Sequence, residues 1–151
     1  MTKILFVCHG NICRSPMAEF VLKDMVEKED LSYDFHIASA ATSREEIGNP
    51  VHSGTRNKLR QHGISTEGKY AIQLTKKDAE QYDYIIGMDA HNITNIKRII
   101  GEDYSDKVFR LLDITSAPRD IADPWYTGDF EQTYRDVYEG CQALLGRCLS
   151  K

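Results

Sequence analysis

Cys8 and Arg14 stand six residues apart in the stretch Cys8-His9-Gly10-Asn11-Ile12-Cys13-Arg14-Ser15-Pro16. A thiol that ionises is a nucleophile, and a guanidinium is a planar fork matched to two oxygens of a phosphate. Taken alone the spacing is weak, because a buried cysteine at a strand end with a surface arginine downstream reads the same way. The surroundings strengthen it. Lys3-Ile4-Leu5-Phe6-Val7 before it is an apolar run of the length of a buried parallel strand. Met17, Ala18, Val21, Leu22 and Met25 after it recur at helical spacing, with Pro16 suited to the first helical position. Backbone N–H groups converge in such a strand-to-helix turn, and the helix N-terminus adds partial positive charge. That field holds a dianion and favours a thiolate over a thiol at Cys8. Ser15 is the expected N-cap, with donation of its hydroxyl to the Cys8 sulfur as the alternative.

The elements that must position this turn follow in order. Helices are expected from Pro16 to about Glu29, from Pro50 to His62 with Gly63 as a left-handed stop, and from a Thr75–Asp78 capping box to about Gln81. Asp89 is placed to cap a helix ending at Gly101, and Asp129 to cap the last helix, which carries Phe130, Tyr134, Val137, Cys141, Leu144, Leu145 and Cys148 on one face. Further strands are predicted at 35–40, 82–88 and 107–112. The alternation argues a single-domain α/β fold over residues 1–151, a Rossmann-like four-stranded parallel sheet with helices on both faces. Ligands of such sheets bind beyond the carboxyl ends of the strands, where the turn after the first strand lies.

Composition narrows the partners. The 151 residues are 41% hydrophobic and 28% charged with a net charge of −4, and no basic stripe points to nucleic acid or a membrane surface. No run approaches a bilayer span or a signal h-region. Four cysteines, two in the turn and two near the C-terminus, do not make a secreted disulfide framework, so a reducing, cytoplasmic location is expected. Cys141 and Cys148 read as core residues of one helical face, and the scattered histidines 36, 52, 62 and 91 show no ligand spacing.

A thiolate that attacks a phosphate monoester needs an acid to protonate the departing oxygen. Asp113, Asp120, Asp123 and Asp129 all follow the fourth strand, at the same sheet edge as Cys8. Asp123 is distinguished by Pro124, which stiffens its backbone, and by Trp125 and Tyr126, which are expected to shield it from water and so keep the acid protonated longer. The residues alone leave all four in play.

Cys8-x5-Arg14-Ser15 with Asp123-Pro124 on so short a chain resembles the low-molecular-weight protein-tyrosine phosphatases. The resemblance also covers Ser39-Ala40-Ala41-Thr42-Ser43, Gly48 to Pro50, His62-Gly63-Ile64, Met88-Asp89-x-x-Asn92 and Asp129-Phe130-Glu131. It implies Cys8 as nucleophile, Arg14 as phosphate clamp and Asp123 as general acid and base. His9, Gly10, Asn11, Ile12, Cys13 and Ser15 then form the phosphate-binding loop, Asn11 holding its shape and Ser15 assisting the thiolate. Cys13 matches a cysteine that in some members forms a reversible disulfide with the nucleophile. Neither a cofactor nor a metal is implied. The partners implied are phosphotyrosine-containing proteins, and a monomer or weak homodimer is expected. Arsenate reductases of the same fold need redox cysteines that the 68–81 segment lacks. A phosphocarrier domain needs neither Arg14 nor Asp123, and an inactive phosphotyrosine-binding module has no use for all three catalytic types.

Departures from the family pattern fall around the site. Lys69-Tyr70-Ala71-Ile72-Gln73 occupies a frequent His-x-Ala-Arg-Gln segment, so a Lys69–Asp89 ion pair is expected in place of a histidine contact. Glu45 stands where an aromatic rim residue is frequent. Trp125 replaces the first of a tyrosine pair and leaves Tyr126 as its candidate phosphorylation site. Glu45, Trp125 and Tyr126 form the expected substrate rim.

Overall fold

The computed structural model describes residues 1–150. Four parallel strands, β1 (Thr2–Cys8), β2 (Phe35–Ala41), β3 (Tyr84–Gly87) and β4 (Val108–Arg110), lie in the order β2-β1-β3-β4. Six helices connect and cover them: α1 (Arg14–Lys28), α2 (Ser53–Arg60), α3 (Lys76–Gln81), α4 (Ala90–Ile100), α5 (Pro124–Thr127) and α6 (Phe130–Leu149). Alternation along β1 divides the core. Ile4 and Phe6 pack with Met17, Leu22, Val137 and Leu144 of α1 and α6, while Leu5 and Val7 pack with Ala79, Ile96 and Ile100 of α3 and α4. Both faces of the sheet are therefore covered, as the apolar runs of its strands require.

The expected caps form where local chemistry demands them. Thr75 and Asp78 make the reciprocal capping box of α3. Asp89 accepts from the Asn92 N–H, and Asp129 from the Gln132 N–H, at the starts of α4 and α6. Gly101 ends α4 at φ +90, a backbone region open to glycine without steric cost.

Four boundaries differ from expectation. The helix predicted from Pro50 begins at Ser53 and ends at Arg60, because Pro50 bridges Tyr70 and the His52 N–H is spent on the Ile12 carbonyl. The His52 ring nitrogen then accepts from the Gly54 N–H and caps α2. The first helix starts two residues ahead of Pro16, with Cys13 rather than Ser15 at its cap position and no side-chain cap. The fourth strand stops at Arg110, since Asp113 accepts from the Arg110 N–H and curls 111–114 into a 3₁₀ turn. The third spans only 84–87.

The strand order reverses between β2 and β3 on either side of β1. The turn from Cys8 into α1 therefore opens at the crevice where a parallel sheet exposes its strand ends.

Candidate active site

The site is built from the end of β1. Asn11 takes a left-handed backbone, φ 58, which a short polar side chain tolerates and most residues resist. Its amide then locks the turn from inside. Nδ2 donates to Ser15 Oγ at 2.8 Å and to Ser39 Oγ at 2.9 Å, and Oδ1 accepts from the Ile72 N–H at 3.1 Å. Asn11 is 1% exposed, so all three bonds lie away from competing water.

Ser15 does not cap the helix. Its hydroxyl lies 3.0 Å from Cys8 Sγ, and its backbone N–H donates to the same sulfur at 3.4 Å. No side chain caps α1, and the Ser15 N–H of its first turn is spent on the sulfur instead of a capping oxygen. A helix N-terminus aimed at a sulfur stabilises negative charge there.

Arg14 is 2% exposed, and its guanidinium reaches three partners. Nη1 donates to Asp89 at 2.7 Å and to the Ile121 carbonyl at 2.9 Å, and Nη2 to Asp123 Oδ2 at 3.4 Å. Burial alone would lower the arginine pKa, but the negative field of Cys8, Asp89 and Asp123 outweighs it and holds the group above its ordinary value. Asp123 divides its oxygens. Oδ1 caps α5 by accepting from the Trp125 N–H at 3.0 Å, and Oδ2 faces Arg14.

A pocket of about 200 Å³ opens above this set. Cys8, His9, Gly10, Ile12, Cys13 and Arg14 line one side, and Glu45, Glu46, Asp123, Trp125 and Tyr126 the other. Of the candidate acids only Asp123 lines the pocket, since Asp113 and Asp120 pair with Arg110 and Asp129 caps α6. The loop and rim candidates all line it except Asn11 and Ser15, which support it from below. His9 Nε2 meets Glu45 Oε2 at 3.1 Å across the mouth, both side chains exposed. Trp125 and Tyr126 do not cover Asp123 as expected. They stand 57% and 85% exposed on the single turn of α5, with the Trp125 ring edge-on to His52, and leave the Asp123 side chain 26% exposed. Cys13 is buried, and desolvation pushes its thiol from 9.0 up to about 12.

The Lys69–Asp89 ion pair does not form. Asp89 is occupied by Arg14, and Lys69 instead donates to the Ser39 carbonyl at 2.8 Å with Glu19 3.7 Å away. Glu19, 4% exposed, also accepts from Ser39 Oγ. Glu19 and Ser39 thereby brace the loop through Asn11, and burial lowers the Lys69 pKa despite the attraction of Glu19. Sequence reasoning gave Asp89 a capping role and an ion pair with Lys69, and missed its contact with Arg14 together with Glu19 and Glu46. Asp89 had one available signal, its position directly after a predicted parallel strand. Among the described residues no group of three or more histidine, cysteine or carboxylate side chains gathers as a metal site would require. No described helix is long and apolar enough to cross a membrane.

A parallel α/β sheet with an anion-binding turn after its first strand, holding cysteine and arginine against an aspartate, defines a class of phosphate-ester enzymes. The model of the low molecular weight phosphotyrosine protein phosphatase family matches residues 3–151. A curated relative, low molecular weight protein-tyrosine-phosphatase YfkJ of Bacillus subtilis, is 43% identical over 147 residues, covering 96% of this chain and 94% of that protein. The crystal structure of YfkJ superposes with a TM-score of 0.95 at 41% identity, covering 99% of this chain and 96% of the other. The structure of SP-PTP from Streptococcus pyogenes gives 0.88 at 44% identity, covering 97% and 93%. The chain belongs to the low molecular weight protein-tyrosine phosphatase family, and phosphotyrosine hydrolysis is the activity that membership supports.

Proposed function

We propose that this protein hydrolyses phosphotyrosine and other aryl phosphate monoesters through a cysteinyl-phosphate intermediate. Cys8 Sγ attacks phosphorus in line and forms the S–P bond as the P–O bond to the phenol breaks. Asp123 gives its proton to the departing oxygen. In the second step water attacks phosphorus and passes a proton to the Asp123 carboxylate. The S–P bond breaks, and the Ser15 hydroxyl receives the returning thiolate by donating to it. Arg14 and the loop N–H groups hold the equatorial oxygens in both steps.

The observation that carries this reading is the contact between Arg14 and Asp123, 109 residues apart in the chain and 3.4 Å apart in space. It brings the candidate acid to the phosphate-binding fork, within one small pocket. An arriving dianion competes with Asp123 for Nη2 and so meets the candidate acid at the fork.

The test is hydrolysis of an aryl phosphate in EDTA by wild type, Cys8→Ser and Asp123→Ala. Metal-independent turnover is expected in the wild type and almost none in Cys8→Ser. Asp123→Ala should lose about 10²–10⁴-fold in kcat, most for substrates with poorly acidic phenols. Persistent activity in Cys8→Ser would sink the mechanism.

The same reading carries phosphotyrosine-bearing proteins as substrates, a cytoplasmic location and a monomer or weak homodimer. Cys13 is proposed as a redox partner of Cys8. Peroxide converts the Cys8 thiolate to a sulfenic acid, and the Cys13 sulfur displaces its hydroxyl as water to leave a disulfide. Burial raises the Cys13 pKa and so makes that thiol a weak nucleophile toward peroxide itself. Peroxide inactivation that dithiothreitol reverses in wild type and fails to reverse in Cys13→Ala is the expected outcome.

A further inference from the structure

A second cleft is larger than the pocket over Cys8. A cleft of about 590 Å³ opens between α2 and the 63–70 segment, and its wall carries Arg56, Arg60, Ser65, Thr66, Lys69 and Tyr70. Arg56 and Arg60 are one helical turn apart and so share a face of α2. Neither guanidinium has an acceptor among the described residues. Four of the other seven arginines are placed differently. Arg14, Arg110, Arg119 and Arg135 each lie against carboxylates at 2.7–3.0 Å.

Helix stability does not account for the pair. Arg60 sits in the last turn of α2, where a cation suits the macrodipole, but Arg56 sits in the first turn, where it opposes it. Like charges four residues apart on a helix also repel. Glu67 lines the same cleft and offsets only one of the two charges, on a chain whose net charge is −4. A second observation points the same way. Thr66 is 7% exposed, lines the cleft, and its hydroxyl has no hydrogen-bond partner among the described residues. That hydroxyl is not sealed in the protein but opens on the cleft, where a ligand can reach it. Lys69 does not compete for a ligand, since its ammonium is held by the Ser39 carbonyl and Glu19.

We infer that this cleft is a second binding site, separate from the catalytic pocket, for a small molecule carrying two or more oxyanion groups. Two guanidinium forks grip separate phosphate or carboxylate groups, and Thr66 supplies a neutral donor between them and the 63–70 wall. The volume lies within the range of sites that enclose a small-molecule ligand. Tyr70, at the edge of the cleft and half exposed, offers a ring face to any planar part. The proposal rests on the cleft alone and stands whether or not the catalytic reading does.

The test is titration of the ¹⁵N-labelled protein with pyrophosphate and, separately, with citrate, following individual amides. Amides of Ser65 to Lys69 report the cleft, and amides of His9 to Ser15 report the catalytic loop. The expected result is a cleft response with its own saturation curve, distinct from that of the loop. Removing each arginine should weaken it about tenfold, so that Arg56→Gln/Arg60→Gln loses it while aryl phosphatase activity stays at the wild-type level. A response to pyrophosphate alone assigns the site to phosphates, and a response to citrate alone to carboxylates. Cleft amides unmoved by about 10 mM of either probe overturn the inference. So does a response that survives intact in the double variant. Loss of phosphatase activity in Cys8→Ser with the cleft response retained separates the two sites.

Discussion

The loop from Cys8 to Ser15 and the rim formed by Glu45, Trp125 and Tyr126 face each other across one pocket, yet they are held by opposite means. Apart from His9 and Gly10, the loop is buried and over-determined. Asn11 alone ties Ser15, Ser39 and the Ile72 N–H together, and Arg14 joins it to the ends of β3 and to the 121–123 segment. The rim is exposed, and the one hydrogen bond its side chains make among the described residues is the solvent-facing His9–Glu45 pair. A group that must meet phosphorus in one geometry is fixed by bonds that water cannot replace. A group that meets variable protein surface is left free. Substitutions in the two regions should therefore fail differently, through turnover or stability in the loop and through small changes of affinity at the rim.

The largest break of that contrast is Arg14→Lys. The charge survives, but one ammonium cannot serve Asp89, the Ile121 carbonyl and two phosphate oxygens at once. Steady-state kinetics on an aryl phosphate should show kcat/KM reduced by roughly 10²–10³-fold. A loss under fivefold would mean that the fork geometry is dispensable.

Asn11 separates backbone strain from bonding. Asn11→Ala leaves the Ile72 N–H unpaired and puts a Cβ-bearing residue without a polar side chain at positive φ, at a cost of about 3 kcal/mol. Asn11→Gly removes the strain and keeps the loss of bonds, so thermal denaturation should place it between Ala and wild type. Equal midpoints for the two variants would assign the whole effect to hydrogen bonding.

The buried thiols give the loop an alkaline liability. In the unfolded chain a cysteine ionises above 9.0, whereas burial keeps Cys13 protonated to about 12 in the native state. The native state then binds more protons, so stability falls as pH rises through that window, by up to about 1.4 kcal/mol per pH unit. Cys141, raised by burial as well, adds to the slope. Denaturant unfolding of Cys13→Ala between pH 9 and 11 should show a shallower fall than wild type, with no change in slope below pH 8.

The rim should show the smallest effect. Glu45→Gln removes the charge from an exposed hydrogen-bonded pair, worth at most about 1 kcal/mol, and leaves the buried clamp intact. KM for phosphotyrosine peptides should move less than about fivefold with kcat unchanged. A change in kcat would place Glu45 in the chemistry and erase the distinction between the two regions.

Local chemistry made much of the frame legible. A side chain that bonds a backbone N–H two or three residues on needs no tertiary partner, which is why the caps at Thr75, Asp89 and Asp129 match expectation. The apolar runs and the turn between β1 and α1 were legible for the same reason. Ser15 was harder, because the same hydroxyl can cap its own helix or reach a sulfur seven residues back. Pro50 and the Lys69 partner were misread because both depend on segments distant in sequence, Tyr70 beside Pro50 and Glu19 beside Lys69.

By itself the sequence determined an α/β chain with a reactive thiol and an arginine in a phosphate-shaped turn after the first strand. Periodicity and capping act over a few residues, and those signals survive in one dimension. Only the tertiary structure decided which carboxylates face Arg14. Asp89 and Asp123 lie 75 and 109 residues from it. They converge because the order β2-β1-β3-β4 sets β3 directly beside β1, and because the chain after β4 returns to the β3 end, where the Ile121 N–H donates to the Met88 carbonyl. A charge buried at that convergence must find its partners there, and the sheet order chooses them.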